Sequence, residues 1–177
     1  ACTRNRVVVN NSSGMCWQNV FINQKAMAFF PTLQERGIKT ILNLGDTFDR
    51  RKYINYNSLK RARQMFFDPI RDNGMVMHML AGNHDTYYKN TGDINSLKEL
   101  LGHYMNEVNI IHEPSIMDYD GMKIGVVPWI DADNEETSLN FIKNAKCDWL
   151  AGHFEIAGYE MMRGIKNEHG LDPNIFK

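Results

Sequence analysis

The chain has 177 residues, of which 43% are hydrophobic and 23% charged, and its formal net charge is -1. This composition is typical of one globular domain, and the near-zero charge excludes nucleic-acid binding through overall positive charge. No apolar run reaches the roughly 18 residues of a membrane helix, and no signal peptide is evident at the start. The three cysteines, Cys2, Cys16 and Cys147, are odd in number and lack C-x-x-C spacing, which favours reduced thiols in a cytoplasmic protein.

Helical and strand patterns alternate along the chain. Apolar spacing predicts a first helix over Trp17–Arg36, with Pro31 kinking or restarting it and Gly37 ending it. Further helices are predicted over Asn57–Asn73, Ile94–Met105 and Asp133–Asn144. Strands are predicted over Ile38–Leu44, Met75–Leu80, Val108–Ile111, Met122–Pro128 and Asp148–Ala151. Strands separated by helices indicate an α/β fold in which mixed β-sheet layers are flanked by helices.

Three loops that follow predicted strands are rich in side chains able to bind metal. They are the segments GDTFDR from Gly45, AGNHD from Ala81 and AGHFE from Ala151. Ligands of α/β sheets bind beyond the carboxyl ends of the strands, and adjacent strands lie about 4.8 Å apart. We therefore expect the three loops to converge on one site.

Asp46, Asn83 and His153 are the candidate metal ligands of these loops. They offer a carboxylate oxygen, an amide oxygen and an imidazole nitrogen, a mixed set that suits Mn²⁺, Fe²⁺ or Zn²⁺ better than Ca²⁺. Two such ions about 3.5–4 Å apart can activate a water molecule and clamp a phosphate. Taken singly, Asp46 as a cap, Asn83 as a turn residue and His153 as a structural histidine are the ordinary interpretations, but their joint occurrence favours a metal site.

Neighbouring residues are candidates for the chemistry. His84 is predicted to meet the phosphate or to protonate the leaving oxygen, and Asp85 or Asp49 to orient its imidazole. For Asp49 and Arg50, a salt bridge within the loop and a contact with phosphate remain open alternatives.

The motifs GDTFD and GNHD resemble the G-D-x-x-D and G-N-H-[DE] motifs of the calcineurin-like metallophosphoesterases. Gly152 and His153 stand where that family has its fourth motif. Within the family, the stretch GHFEIAGYEMMRGIKNEHGL resembles the nuclease subunits of double-strand-break repair, above all the phage recombination endonuclease subunits. The resemblance extends from about Phe21 to Lys177.

The resemblance implies a Mn²⁺-dependent DNA exonuclease or endonuclease with an α/β/β/α sandwich fold. Asp46 would bridge the two metal ions, Asn83 and His153 would bind the second ion, and His84 and Asp85 would act in catalysis. The expected partners are DNA, an SMC-like ATPase subunit and a second copy in a homodimer, with no membrane; a phage protein of this kind would act in the host cytoplasm.

Two family motifs are absent from the chain. No Asp-x-His stands before Asp46, and no G-H-x-H follows, since the fourth residue of GHFE is Glu155. We therefore expect a single nuclease domain, residues 1–177, that is truncated at both ends and a poor catalyst by itself, with its first strand lying before residue 1.

Two alternatives to the nuclease stay open. The same metal site could serve a phosphoesterase that acts on small phosphodiesters or phosphoproteins. A non-catalytic scaffold that binds the ATPase or DNA is the other. The basic segment Arg50–Lys52 and the basic helix face of Lys60, Arg61 and Arg63 could contact phosphates, although a solvated helix face is the more ordinary interpretation.

Overall fold

The computed structural model describes residues 6–9, 21–48, 50–162 and 164–176. Its first layer is a parallel sheet in the order β1-β2-β3-β4. Its strands are β1 (Arg6–Val9), β2 (Thr40–Asn43), β3 (Val76–Leu80) and β4 (Val108–Ile111). Strands β2, β3 and β4 were predicted. Strand β1 was not, because four apolar-rich residues give no usable periodicity. It pairs with β2 in parallel. The Asp-x-His strand expected before residue 1 stays a prediction.

Helices connect these strands. They are α1 (Phe21–Glu35), α2 (Tyr56–Ala62), a π-helical turn (Arg63–Phe67), α3 (Asp68–Asp72), α4 (Ser96–Leu100) and a 3₁₀ turn (Gly102–Tyr104). Helix α1 runs through Pro31 without restarting. It ends in a Schellman turn, in which the N–H of Ile38 donates to Leu33 O at 2.8 Å and Gly37 has φ +64°. The predicted residues 17–20 of this helix lie outside the described residues.

The second layer is a three-stranded sheet, β5 (Ser115–Tyr119), β6 (Met122–Val127) and β7 (Trp149–Gly152). Strand β5, which was not predicted, is antiparallel to β6, and β6 is parallel to β7 through helix α5 (Glu135–Asn144). A short hairpin of β8 (Glu160–Met162) and β9 (Ile165–Lys166), also not predicted, and a 3₁₀ turn (Pro173–Phe176) follow.

The two faces of the first sheet are buried against different partners. Successive strand residues point to opposite faces, so Ile41 packs in the helix-side cluster and Leu42 in the cluster between the sheets. Phe141 of α5 lies against β6, because a Cβ placed on Gly125 would be 3.3 Å from its ring. The order helix, sheet, sheet, helix confirms the predicted fold class. In the described part of the chain, no helix is long and apolar enough to cross a membrane.

Candidate metal centre

The loop after β2 turns sharply to place Asp46. Buried Asn43 ends the strand, and its side-chain oxygen accepts the N–H of Gly45 at 2.8 Å. Gly45 has φ +101° and Asp46 has φ +53°, a left-handed conformation that aspartate adopts more readily than most non-glycine residues. The Asp46 side chain keeps only 14% of its surface exposed. The backbone is thus bent so that one carboxylate projects from the end of β2.

The loops after β2 and β3 approach each other more closely than side chains would allow. A Cβ on Gly45 would lie 2.8 Å from the Cα of Gly82 and 2.7 Å from Nδ1 of His153. A Cβ on Gly82 would collide with the backbone N and the Oδ1 of Asp46. Glycine at both positions is therefore required by this close approach.

The three predicted ligands lie together. Nε2 of His153 lies 3.1 Å from Oδ1 of Asn83 and 3.5 Å from Oδ1 of Asp46. The backbone N–H of His84 donates to the same Asp46 oxygen at 2.9 Å. His153 follows β7, which belongs to the second sheet, so the convergence spans both sheets and not three adjacent strands as expected.

The hydrogen bonds of His153 define what the site can hold. Its Nδ1 lies 2.9 Å from the carbonyl oxygen of Leu44. Because a carbonyl oxygen only accepts hydrogen bonds, Nδ1 is the donor in this contact. The ring is thereby oriented so that Nε2 faces the side-chain oxygens of Asn83 and Asp46. A nitrogen and two oxygens grouped in this way are a suitable donor set for a divalent metal ion.

Asp85 has a different place from the one predicted. Its carboxylate is fully buried and accepts backbone N–H groups from both loops: Phe48 at 3.1 Å, Thr47 at 3.2 Å and Gly82 at 3.0 Å. The Ser96 hydroxyl is its other hydrogen-bond partner in the described part of the chain, at 3.5 Å. Burial raises the pKa of the carboxyl to about 6; the backbone N–H groups lower it, and the charge of Asp46 raises it further. The predicted contact with the His84 imidazole is therefore replaced by a connection between the loops.

The remaining candidates lie around this centre. Arg50 is exposed, and its guanidinium stacks on the Tyr53 ring, 5.1 Å from the centroid. Asp49 lies outside the described residues, so its predicted role stays a prediction, as does the chemical role of the His84 imidazole. His78, in β3, packs edge-on against Tyr119 with ring centroids 5.9 Å apart, and burial lowers its pKa.

A cavity of about 410 Å³ opens beside His153. Trp129, two residues beyond the end of β6, lines it and was not among the predicted site residues. Its indole N–H donates to Glu155 at 3.2 Å, and the Arg51 guanidinium lies 5.0 Å from the centroid of its ring. The available signal was its position, because an aromatic residue just beyond the carboxyl end of a strand stands where ligands of α/β sheets bind.

Comparison with known proteins agrees with this geometry. The model of the calcineurin-like phosphoesterase family matches residues 21–175. The chain belongs to the calcineurin-like phosphoesterase family. Exonuclease subunit 1 of Enterobacteria phage T4 is 35% identical over 144 residues, which are 81% of this chain and 42% of that protein. This chain therefore spans less than half the length of that relative.

The nuclease MPE of Pseudomonas putida has a similar fold. The TM-score is 0.51 at 14% identity, over 87% of this chain and 63% of that one. At this identity the similarity supports the fold alone.

Calcineurin-like phosphoesterases usually use divalent metal ions, and the residues present fit such an ion. Asp46, Asn83 and His153 supply two oxygens and one nitrogen around a common point. In the described ranges, no group of three His, Cys, Asp or Glu side chains could hold a metal ion, and the third donor of this set is the amide oxygen of Asn83. A hard or borderline divalent cation suits these donors.

Proposed function

We propose that the chain is the catalytic core of a DNA nuclease that hydrolyses phosphodiester bonds with two divalent metal ions, preferentially Mn²⁺. The observation that carries this proposal is the convergence of Asp46, Asn83 and His153, whose side chains bring two oxygens and one nitrogen together. The name of the phage relative, an exonuclease subunit, supports a nuclease over a phosphoesterase for small substrates.

The proposed chemistry assigns a task to each side chain. The bound ions would activate water and neutralise the phosphate. Asp46 would hold both ions, and its Oδ1 is fixed by the backbone N–H of His84. Leu44 O orients the His153 ring so that Nε2 faces the site. The His84 imidazole would stabilise the transition state or protonate the leaving oxygen.

We also propose that the protein works in a complex. The phage relative is named as a subunit, which supports a partner for this chain as well. An SMC-like ATPase, a homodimer and double-stranded DNA ends as substrate follow from the resemblance and belong to this proposal.

The Asp46→Asn variant of the full-length protein tests the proposal. This change keeps the shape of the side chain but removes the charge that would hold the ions. We expect it to lower Mn²⁺-dependent degradation of double-stranded DNA by at least about 100-fold, beyond the 10- to 100-fold typical of outer-shell metal-site changes. Asp72→Asn is the matched control, since Asp72 is exposed at the end of α3.

Two results would contradict the proposal. Full activity of Asp46→Asn would show that the centre is not catalytic. Hydrolysis of methyl 4-nitrophenyl phosphate by a wild-type protein that leaves DNA intact would favour the alternative of a phosphoesterase for small diesters.

A further inference from the structure

Trp129 is fixed in place beside the metal centre by contacts from four segments. Its backbone N–H donates to Ala81 O at 2.9 Å, and its carbonyl accepts from the Asn134 side chain at 3.0 Å. Its indole N–H donates to Glu155, and Arg51 lies over the ring. The half-buried ring is therefore pre-organised before any substrate arrives.

Arg51 is itself held by the loop that follows Asp85. Its Nη1 donates to the Thr86 hydroxyl at 2.9 Å and to Tyr88 O at 3.2 Å. The guanidinium cannot easily swing away, so it keeps one side of the indole covered. The loops that carry the candidate metal ligands therefore also hold Arg51 in place against Trp129.

The cavity that Trp129 lines continues from His153. Its volume of about 410 Å³ suits one nucleotide unit, and Leu171 adds apolar wall. Its charged lining is mixed: Lys89 and His169 are opposed by Asp131, Glu135 and Glu155. Three carboxylates disfavour a bare anion, whereas a neutral aromatic ring that carries N–H donors fits both the charge and the aromatic wall.

We propose that this cavity binds the unstacked nucleobase of the nucleotide next to the cleaved phosphate, with Trp129 as its stacking residue. The inference rests on the proposed function, because it takes the phosphate to lie at Asp46 and His153. It adds a substrate class to that function. A base must leave the duplex to enter the cavity, so frayed ends and single-stranded DNA are the preferred substrates.

Two phosphodiesters with the same leaving group test the stacking role. They are thymidine 5′-(4-nitrophenyl phosphate), which carries a base, and methyl 4-nitrophenyl phosphate, which does not. Stacking on an aromatic side chain is worth about 5- to 150-fold in affinity. We expect Trp129→Ala to lower kcat/KM for the thymidine ester more than for the methyl ester, so that the preference for the thymidine ester falls by that factor. Trp129→Phe keeps a ring and should retain part of the preference.

Trp149→Ala is the matched control. Trp149 is 66% exposed at the start of β7, at the opposite end of the strand from His153. We expect it to keep the wild-type preference. An unchanged preference in Trp129→Ala, or an equal fall for both esters, would overturn the inference and leave the proposed function standing.

A binding measurement separates failure of the inference from failure of the function. Saturation-transfer difference NMR with thymidine monophosphate should show stronger saturation of the base protons than of the sugar protons, lost in Trp129→Ala. If DNA and both esters stay intact but this signal is present, the proposed function fails and the base site stands. If base saturation is absent, or persists in Trp129→Ala, the inference fails.

Discussion

Asp85 is a single buried carboxylate that connects the two loops of the candidate site. Its two oxygens accept three backbone N–H groups from the loops after β2 and β3. Burial of the charge has a cost, visible in the raised pKa. The three hydrogen bonds offset that cost and hold Asp46 and Asn83 in register.

We therefore predict that Asp85→Ala lowers the free energy of unfolding by about 2–4 kcal/mol, since buried N–H groups would lose their acceptor. Urea denaturation measures this change. Asp118→Ala is the control: exposed Asp118 accepts one N–H, from Gly121, and its loss should cost less than about 1 kcal/mol. Equal losses in the free energy of unfolding for Asp85→Ala and Asp118→Ala would contradict the role of Asp85 in connecting the two loops.

At this scale the sequence was informative about residue type but not about contacts. The convergence of Asp46, Asn83 and His153 was predictable, because each stands within about three residues of the end of a strand, where side chains converge. The contacts of Asp85 were not, because the same GNHD motif is compatible with a carboxylate turned toward His84 or toward the neighbouring loop. Only the burial of the loop decides between these orientations.

Among the elements, the loops of the candidate site depend on glycine more than any helix or strand does. Gly45 combines a φ of +101° with contacts that exclude a Cβ. Gly74 has φ +57° but open space around it. A substitution at Gly74 therefore tests backbone strain alone, whereas one at Gly45 tests strain together with the steric exclusion of a Cβ.

We predict that Gly45→Ala lowers the free energy of unfolding by about 2–4 kcal/mol, against about 1 kcal/mol for Gly74→Ala, where only backbone strain acts. Gly45→Ala should also weaken Mn²⁺ binding, measured by titration calorimetry, because the added methyl displaces His153. Unchanged Mn²⁺ affinity in Gly45→Ala would contradict the steric account.

Some elements were predicted with the right bounds, whereas others were predicted too long or missed. The strand Val108–Ile111 has the predicted bounds, whereas α4 ends at Leu100 because the chain leaves the helical conformation at Leu101. Strand β5 was missed although Asp120 and Gly121, both with positive φ, form an Asp-Gly hairpin turn before β6. That dipeptide was the signal for it.

At the scale of the whole molecule, the metal centre depends on how the two sheets pack. Asp46 and Asn83 follow strands of the first sheet, and His153 follows a strand of the second. The cluster between the sheets is small and includes Ile124 and Val126, whereas Ile70 belongs to the larger helix-side cluster. The sequence could not predict this arrangement, because the apolar pattern of a strand does not say which other sheet it meets.

The last prediction compares Ile124→Ala with Ile70→Ala. Each deletes the same atoms from a buried site, so both should lower the free energy of unfolding by about 2–5 kcal/mol. Only Ile124→Ala loosens the second sheet against the first, so only this variant should bind Mn²⁺ more weakly, by titration calorimetry under conditions where both variants remain folded. If Ile70→Ala weakens Mn²⁺ binding equally, the loss follows global stability and the packing between the sheets does not set the distance from His153 to Asp46.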